Sequence, residues 1–385
     1  MAKELIKKFI PEFLLRLYHY SLTGIGAFFY GFPSRKLIVI GVTGTSGKST
    51  VVELVANIFQ EAGFKTASIS SIRFKVRDKE WENKLKMTMP GRMKIQRFLS
   101  QAKKADCKYV VLEITSEGIK QYRHKFIDFD VAVFTNLSPE HIESHGSFEK
   151  YRAAKAKLFQ QTKRTHIINI DDKNAEYFLK HPAKQKIRYG INDKNLLPEH
   201  FSLLGKFNLY NAITATKIAM SQGVSLGICK RALEKVKGIS GRMEIIAREP
   251  FTVVVDYAHT PQSLKKVYET LSDRRMICVL GSCGGGRDKW KRPILGKIAA
   301  QYCNQTIITN EDPYDENPMD IINQVAGNTN AEKILDRKQA IKKAIELANP
   351  GDVVIITGKG SEPWMCIAKG KKIPWDDRQI ALDFL

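Results

Sequence analysis

From residue 36 onward, short β-branched apolar runs alternate with longer stretches whose apolar residues recur at helical spacing. Residues 37–42, 109–115, 131–135 and 165–170 read as strands, and 51–62, 92–104 and 208–222 as helices. A second set follows, with strands at 252–256, 276–280, 306–309 and 353–357. Helices at 261–271, 291–302, 318–327 and 338–348 lie between them. This rhythm predicts an α/β fold with two mostly parallel sheets covered on both faces, a P-loop-type unit followed by a Rossmann-like one. Glycines at Gly238 and Gly241 punctuate the pattern, so the expected division is a segment 1–36, a central domain 37–240 and a C-terminal domain 241–385.

The first 33 residues behave differently. Leu5, Ile6, Phe9, Ile10, Phe13, Leu14, Leu17 and Tyr18 recur at helical spacing, interrupted by Pro11, and residues 17–33 carry no Asp, Glu, Lys or Arg. That stretch is shorter than the roughly 20 residues a spanning helix needs. It also lacks a small-residue cleavage site. It either packs on the following domain or lies on a membrane surface with Lys3, Lys7, Lys8 and Arg16 near headgroups.

Length and charge narrow the picture only in part. A chain of 385 residues exceeds one ordinary core. Lys and Arg outnumber Asp and Glu by 62 to 40, a net charge of +22 that favours acidic partners. The basic residues are dispersed and form no nucleic-acid motif, so no nucleic-acid partner is expected. Cys107, Cys229, Cys278, Cys283, Cys303 and Cys366 include no C-x-x-C pair. Neither zinc nor a disulfide is expected, each cysteine reads as a single thiol, and a reducing cytoplasm fits.

Candidate chemistry sits at the carboxyl ends of the strands, where ligands bind in open α/β sheets. The first strand runs into Gly41-Val42-Thr43-Gly44-Thr45-Ser46-Gly47-Lys48-Ser49-Thr50. Glycines let backbone N–H groups approach phosphates, a lysine reaches the outer phosphates, and a serine ligates Mg²⁺. Val42 stands where the strict pattern has glycine, so this is a variant phosphate loop. Glu113 ends a strand and can face that loop. His141 follows another strand, and Lys155 lies on a predicted helix. Taken singly, His141 reads as a structural or surface histidine and Lys155 as a solvated lysine.

Read together, these segments resemble the Mur ligases, cytoplasmic ATP-dependent enzymes that extend the peptide on UDP-N-acetylmuramic acid. The resemblance rests on Gly44 to Thr50, on Phe134-Thr135-Asn136-Leu137-Ser138-Pro139-Glu140-His141 and on Tyr151-Arg152-Ala153-Ala154-Lys155. It continues through Gly205-Lys206-Phe207-Asn208, Gly241-Arg242-Met243-Glu244, Asp256-Tyr257-Ala258-His259-Thr260-Pro261, Arg287-Asp288-Lys289 and Gly358-Lys359-Gly360-Ser361-Glu362. It covers residues 37 to 385 and points to the member that adds the third stem amino acid through an acyl-phosphate. It implies ATP held by Gly44, Thr45, Ser46, Gly47, Lys48, Ser49, Thr50, Asn136, Asn208, Asn211, Arg242 and Asp256. It implies Mg²⁺ on Ser49, Glu113, His141 and a carbamylated Lys155, whose CO₂-derived group turns a cation into an anion. With Lys48, these are the implied catalytic residues. The muramoyl peptide would meet Thr88, Ser116, Gln121 and Arg123; the incoming amino acid would meet Arg287, Asp312, Gly358 and Glu362. Domain closure would exclude water, and a monomer is expected.

Several positions depart from the family. Met89 and Glu117 stand where Thr and His are common, and Ser361 replaces a His. Members selecting meso-diaminopimelate carry Asp-Asn-Pro-Arg, whereas this chain has Glu311-Asp312-Pro313-Tyr314; a tyrosine cannot pair bidentately with a distal carboxylate. The phosphate loop is reached by residue 41, so the usual uridine-gripping N-terminal domain is not expected. A lipid-linked donor would suit the apolar segment at 1–33. Two alternatives remain open: a folate-type polyglutamate ligase, and a non-catalytic nucleotide-binding relative.

Overall fold

A computed structural model describes residues 11–85 and 87–385. The predicted apolar positions Leu5, Ile6, Phe9 and Ile10, with Lys3, Lys7 and Lys8, lie outside the described residues. The chain divides into two compact units. One comprises the residues up to 138 with 148–202 and 207–236, and the other 139–147, 203–206 and 237–385.

The first unit opens with helix α1 (Glu12–Phe29), which packs on the later helix at Arg92–Lys104. Strand β1 (Ile38–Thr43) leads into α2 (Lys48–Glu61), followed by β2 (Thr66–Ile69), the hairpin β3 (Arg73–Val76) and β4 (Lys79–Glu82), and that later helix, α3 (Arg92–Lys104). Then come β5 (Tyr109–Glu113), α4 (Ser116–Lys120) and β6 (Val131–Phe134). The short helix α5 (Ile142–His145) is grouped with the second unit. The first unit resumes with α6 (Phe148–Gln161), β7 (Thr165–Asn169), α7 (Ala175–Leu179), β8 (Gln185–Tyr189), α8 (Lys206–Ser221) and α9 (Leu226–Glu234).

The sheet order is β4-β3-β2-β5-β1-β6-β7-β8; β3 runs against its neighbours β2 and β4, and the other described pairs are parallel. Sequence neighbours Val39 and Ile40 are both fully buried, as are Val110 and Val111, so the central strands are covered on both faces. The predicted first strand and helix are present. The helix begins three residues early, at Lys48, because Gly47 turns the chain at φ 84° immediately before it. The β3–β4 hairpin and β8 were not legible: β4 is wholly exposed and β8 mostly so, and such edges lack the apolar run that marks a buried strand.

The second unit repeats the rhythm. It contains β9 (Glu244–Ala247), β10 (Thr252–Asp256), α10 (Pro261–Leu271), β11 (Met276–Leu280), α11 (Arg292–Tyr302), β12 (Gln305–Thr309) and α12 (Pro318–Ala326). It closes with β13 (Glu332–Ile334), α13 (Arg337–Glu346), β14 (Val353–Thr357), the hairpin β15 (Trp364–Cys366) and β16 (Lys372–Pro374), and α14 (Asp377–Leu382). Its six-stranded sheet runs β13-β12-β11-β14-β10-β9, parallel except for β9. Val253, Val255, Ile277, Val279, Val354 and Ile356 form its core with the inner face of α13. The expectation of single thiols fails here. Cys278 on β11 and Cys303 at the end of α11 are joined as a disulfide, their Cα atoms 6.1 Å apart. The pair is 25 residues apart in sequence, so only the return of α11 beside β11 brings the two together. Cys107, Cys229, Cys283 and Cys366 are free.

Candidate active site

The phosphate loop is built at the end of β1, the strand that lies between β5 and β6. Parallel register sets Val42 beside Glu113 and Thr43 beside Phe134, so the ends of three strands meet. Gly44 and Gly47 both have positive φ. A Cβ at Gly44 would lie 2.0 Å from Thr135 Oγ1, and one at Gly47 2.3 Å from Asn211 Oδ1. Only glycine fits either place. Asn136 fastens the turn: its Oδ1 accepts from Ser46 N at 3.0 Å, its Nδ2 donates to Ser46 O at 3.0 Å, and its carbonyl accepts from Thr45 N at 2.8 Å. Asn211 donates to Asn208 at 3.0 Å, which sets both predicted nucleotide-side asparagines beside the loop. Thr50 is buried in the first turn of α2.

Glu113 is the acidic centre of this edge. Its Oε2 accepts from Ser49 Oγ at 2.8 Å and from Ser71 N at 2.9 Å, while Lys48 Nζ stands 3.8 Å from Oε1. Lys48 also donates to Thr45 O at 2.9 Å. A hydroxyl and a carboxylate converging in this way are hard oxygen donors of the kind that Mg²⁺ takes. Among the described residues no group of three His, Cys, Asp or Glu side chains has metal-binding geometry.

Lys155 is not the solvated lysine that its helix alone suggests. It is 2% exposed, donates to Gly44 O at 2.7 Å and lies 4.7 Å above the Tyr151 ring. Burial, and then the Lys48 ammonium, push its amine well below the ordinary lysine range against the pull of Glu113. Such an amine spends more of its time neutral, and a neutral amine is the form that adds CO₂.

A second group gathers on the same unit. Arg123 is buried and donates to Met89 O, and to Gln121 Oε1 at 2.7 Å. Burial, helped by Arg92, pulls its guanidinium down to about 10. Ser116 is buried at the start of α4, and Thr88 is half-buried beside Met89. The place of the family's threonine is taken by a buried thioether, which accepts from Thr115 N at 3.4 Å.

The remaining predicted residues lie on the second unit. His141 is there, at φ 56° before α5; next to it the buried Glu140 accepts from Lys291 Nζ at 3.0 Å. Asp256 accepts from Met243 N at 2.7 Å and Ala258 N at 2.6 Å, and burial raises its pKa against Arg242. Arg242 lies 4.2 Å over the Tyr257 ring. Asp312 is buried and accepts from Lys359 Nζ at 3.0 and 3.1 Å; Lys359 also donates to Glu362 at 2.8 Å. Cys283, Tyr257, Tyr314 and Glu362 push the Arg287 guanidinium above its ordinary range against the effect of burial. Gly358 N donates to the Asp256 carbonyl at 3.1 Å, tying the ends of β14 and β10 together.

Sequence reading missed several participants. Tyr151 lies one helical turn before Lys155, and its hydroxyl is 3.1 Å from Thr45 Oγ1; the i, i+4 spacing was a usable signal. Ser71, 2.8 Å from Ser49 Oγ, follows β2 with no motif around it. Lys359 and Glu311 sat inside quoted motifs, but their burial was invisible.

Two family models match the chain: the Mur ligase middle domain over residues 42–201, and the Mur ligase glutamate ligase domain over residues 241–360. The chain is 36% identical to a UDP-N-acetylmuramoyl-L-alanyl-D-glutamate–2,6-diaminopimelate ligase of Syntrophomonas wolfei, covering 95% of this chain and 81% of that one. It is 34% identical to a UDP-N-acetylmuramyl-tripeptide synthetase of a Roseiflexus species, covering 93% and 80%. A solved UDP-N-acetylmuramoyl-L-alanyl-D-glutamate–2,6-diaminopimelate ligase matches with TM-score 0.59 and 30% identity over 90% of this chain and 78% of that one. A Mycobacterium tuberculosis folylpolyglutamate synthase matches with TM-score 0.70 over 88% and 92%, but at 16% identity it speaks for the fold alone. Fold, loop and relatives together define an ATP-dependent carboxylate–amine ligase. The chain belongs to the Mur ligase family.

Proposed function

We propose that this ligase adds a cationic amino acid of the lysine class as the third residue of a muramoyl peptide, through an acyl-phosphate made from ATP. Addition of an amino acid to a peptidoglycan precursor is the activity of the muramoyl ligases it resembles at 33–36% identity. The single observation that carries the reading is the convergence of Lys48, Ser49, Glu113 and Lys155 on one phosphate loop.

A carboxylate resists attack by an amine because its leaving group is oxide. An oxygen of the substrate carboxylate therefore bonds to the γ-phosphorus while the bond from that phosphorus to the β–γ bridging oxygen breaks, and ADP leaves. The amine then attacks the acyl carbon, the acyl carbon–oxygen bond to phosphate breaks, and the amine sheds a proton. Lys48 meets the charge that builds on the transferred group, and Gly44 and Gly47 let the loop backbone come close. Ser49 and Glu113 would hold Mg²⁺ through their oxygens, and the ion would supply charge neutralisation between phosphates and carboxylate. The buried neutral Lys155 amine adds CO₂ to give a carbamate and one released proton, leaving an anion in place of the amine. A role for His141 as a metal ligand rests on the resemblance alone.

Tyr314 and the acidic group Glu311, Asp312 and Glu362 support the choice of amino acid. Tyr314 is the part that discriminates, because it gives a distal carboxylate no bidentate partner and so favours lysine over meso-diaminopimelate. The donor is the UDP-linked muramoyl dipeptide, with a lipid-linked one as a further arm of the test. Phosphate release with ATP and Mg²⁺ is followed across an amino-acid panel, with mass detection of product. We expect release that depends on the muramoyl dipeptide and is fastest with lysine. Release with a folate and glutamate would overturn the muramoyl assignment, and ATP binding without release would overturn the ligase assignment. Faster release with meso-diaminopimelate would overturn only the argument from Tyr314.

A further inference from the structure

Helix α1 is assembled inside out. An amphipathic helix on a folded domain normally turns its apolar stripe toward the core. Here the side facing the protein holds small and polar residues. His19 hydrogen-bonds Arg92 of α3, Thr23 donates to His19 O at 2.8 Å, and Ala27 is fully buried. Gly26 presses so close to α3 that a Cβ would come within 2.9 Å of Met93 Sδ. The opposite side is apolar and bare. Leu14, Leu17, Tyr18, Ile25, Phe28 and Phe29 are all exposed, Phe28 by 78% and Phe29 by 72%. At 100° per residue they fall within one arc of roughly 120°, interrupted by Ser21 alone. A contiguous stripe of that kind marks an interaction surface.

Charge identifies the partner. No Asp or Glu occurs from residue 13 to residue 52. Helix α3, on which α1 packs, has five Lys or Arg residues and no acid, with Lys94, Arg97, Lys103 and Lys104 exposed. No helix among the described residues is long and apolar enough to cross a membrane. A bare apolar stripe with aromatic side chains, carried beside a purely basic helix, matches a surface that is greasy within and anionic at its rim.

We propose that α1 lies in the interface of an anionic lipid bilayer, its Leu14–Leu17–Ile25–Phe28 face among the acyl chains and the basic residues of α3 at the headgroups. This depends on the geometry of α1 and not on which amino acid is ligated. The full chain is sedimented with phosphatidylcholine vesicles made with and without phosphatidylglycerol, and compared with the fourfold variant Leu14→Ser, Leu17→Ser, Ile25→Ser, Phe28→Ser. These side chains are exposed, so the variant keeps its fold by circular dichroism and its phosphate release in solution. The expected result is binding to the anionic vesicles that falls at least roughly tenfold in the variant and weakens with salt. A separate Phe28→Trp chain reports depth, with its emission shifting to shorter wavelength on those vesicles. The proposal is overturned if the wild type stays in the supernatant with both vesicle types, or if the variant binds equally well. A wild-type dimer by light scattering that the substitutions dissociate would also overturn it, by making the stripe a seam between copies.

Discussion

Two buried lysines, one in each unit, show how little burial alone says about a charge. Lys359 is fully buried and is held by carboxylates, Asp312 at 3.0 Å and Glu362 at 2.8 Å. Lys155 is just as deep, yet it meets a carbonyl and an aromatic face with Lys48 nearby, and makes no ion pair among the described residues. The first arrangement compensates an ammonium and locks the ends of β12 and β14 together. The second leaves an ammonium poorly compensated, so the neutral amine is favoured. The first arrangement suits a structural lysine and the second the chemical role proposed above for Lys155, and the difference lies in what faces the nitrogen.

The largest effect tests the chemical lysine. Lys155→Ala should lower phosphate release and product formation by about 10³-fold, a loss on the scale of removing a transition-state charge contact. Added bicarbonate should not restore it, because no amine remains to modify. Normal turnover in this variant would end the distinction between the two lysines.

The structural lysine should fail differently. Lys359→Met strips the cation from the buried Asp312 and should cost about 3–5 kcal/mol in urea unfolding. A change within about 0.5 kcal/mol would mean that the carboxylates are relieved in some other way.

Specificity provides a third and smaller test, beside Lys359. Tyr314→Arg installs a bidentate partner for a distal carboxylate and should move the ratio of kcat/KM values toward meso-diaminopimelate by about 10- to 100-fold. An unchanged ratio would separate Tyr314 from recognition of the amino acid.

The smallest effect has the opposite sign to that of Lys359→Met. In CO₂-free buffer, Lys155→Met should stabilise the chain by about 1–2 kcal/mol near neutral pH. The native amine lies below its ordinary value of 10.5, so between the two values the unfolded chain binds more protons and stability rises with pH. The penalty is present in full below the folded value and gone above the unfolded one. The advantage of the methionine variant should therefore shrink as pH climbs toward that upper limit. An advantage that is flat with pH would show that the amine titrates normally.

Most interior strands were legible because parallel strands covered on both faces read as unbroken β-branched runs, as at Val39–Ile40 and Val110–Val111; buried β2 was not, because Thr66-Ala67-Ser68-Ile69 has no such run. Strands β4 and β8 were not, since exposed edges carry no such run. The loop at Gly44 to Thr50 was legible for a related reason: its glycines are demanded by backbone close to Thr135 and Asn211, and such a demand leaves a local mark. The Cys278–Cys303 pairing and the place of Ser71 beside Ser49 and Glu113 left none, because each joins segments distant along the chain. The apolar N-terminal segment was noticed as apolar, but not which of its sides would face out.

By itself the order of residues determined the two α/β sheets, the phosphate-binding turn and membership in a ligase family, because periodicity, glycine placement and spaced motifs are local properties of the chain. Only the tertiary structure decided that Lys155 is depressed and Lys359 is compensated, that Arg123 is buried against Met89, and that α1 turns its greasy side to solvent. Charge state and exposure depend on the dielectric and the partners around an atom, and those are assembled from residues far apart in sequence.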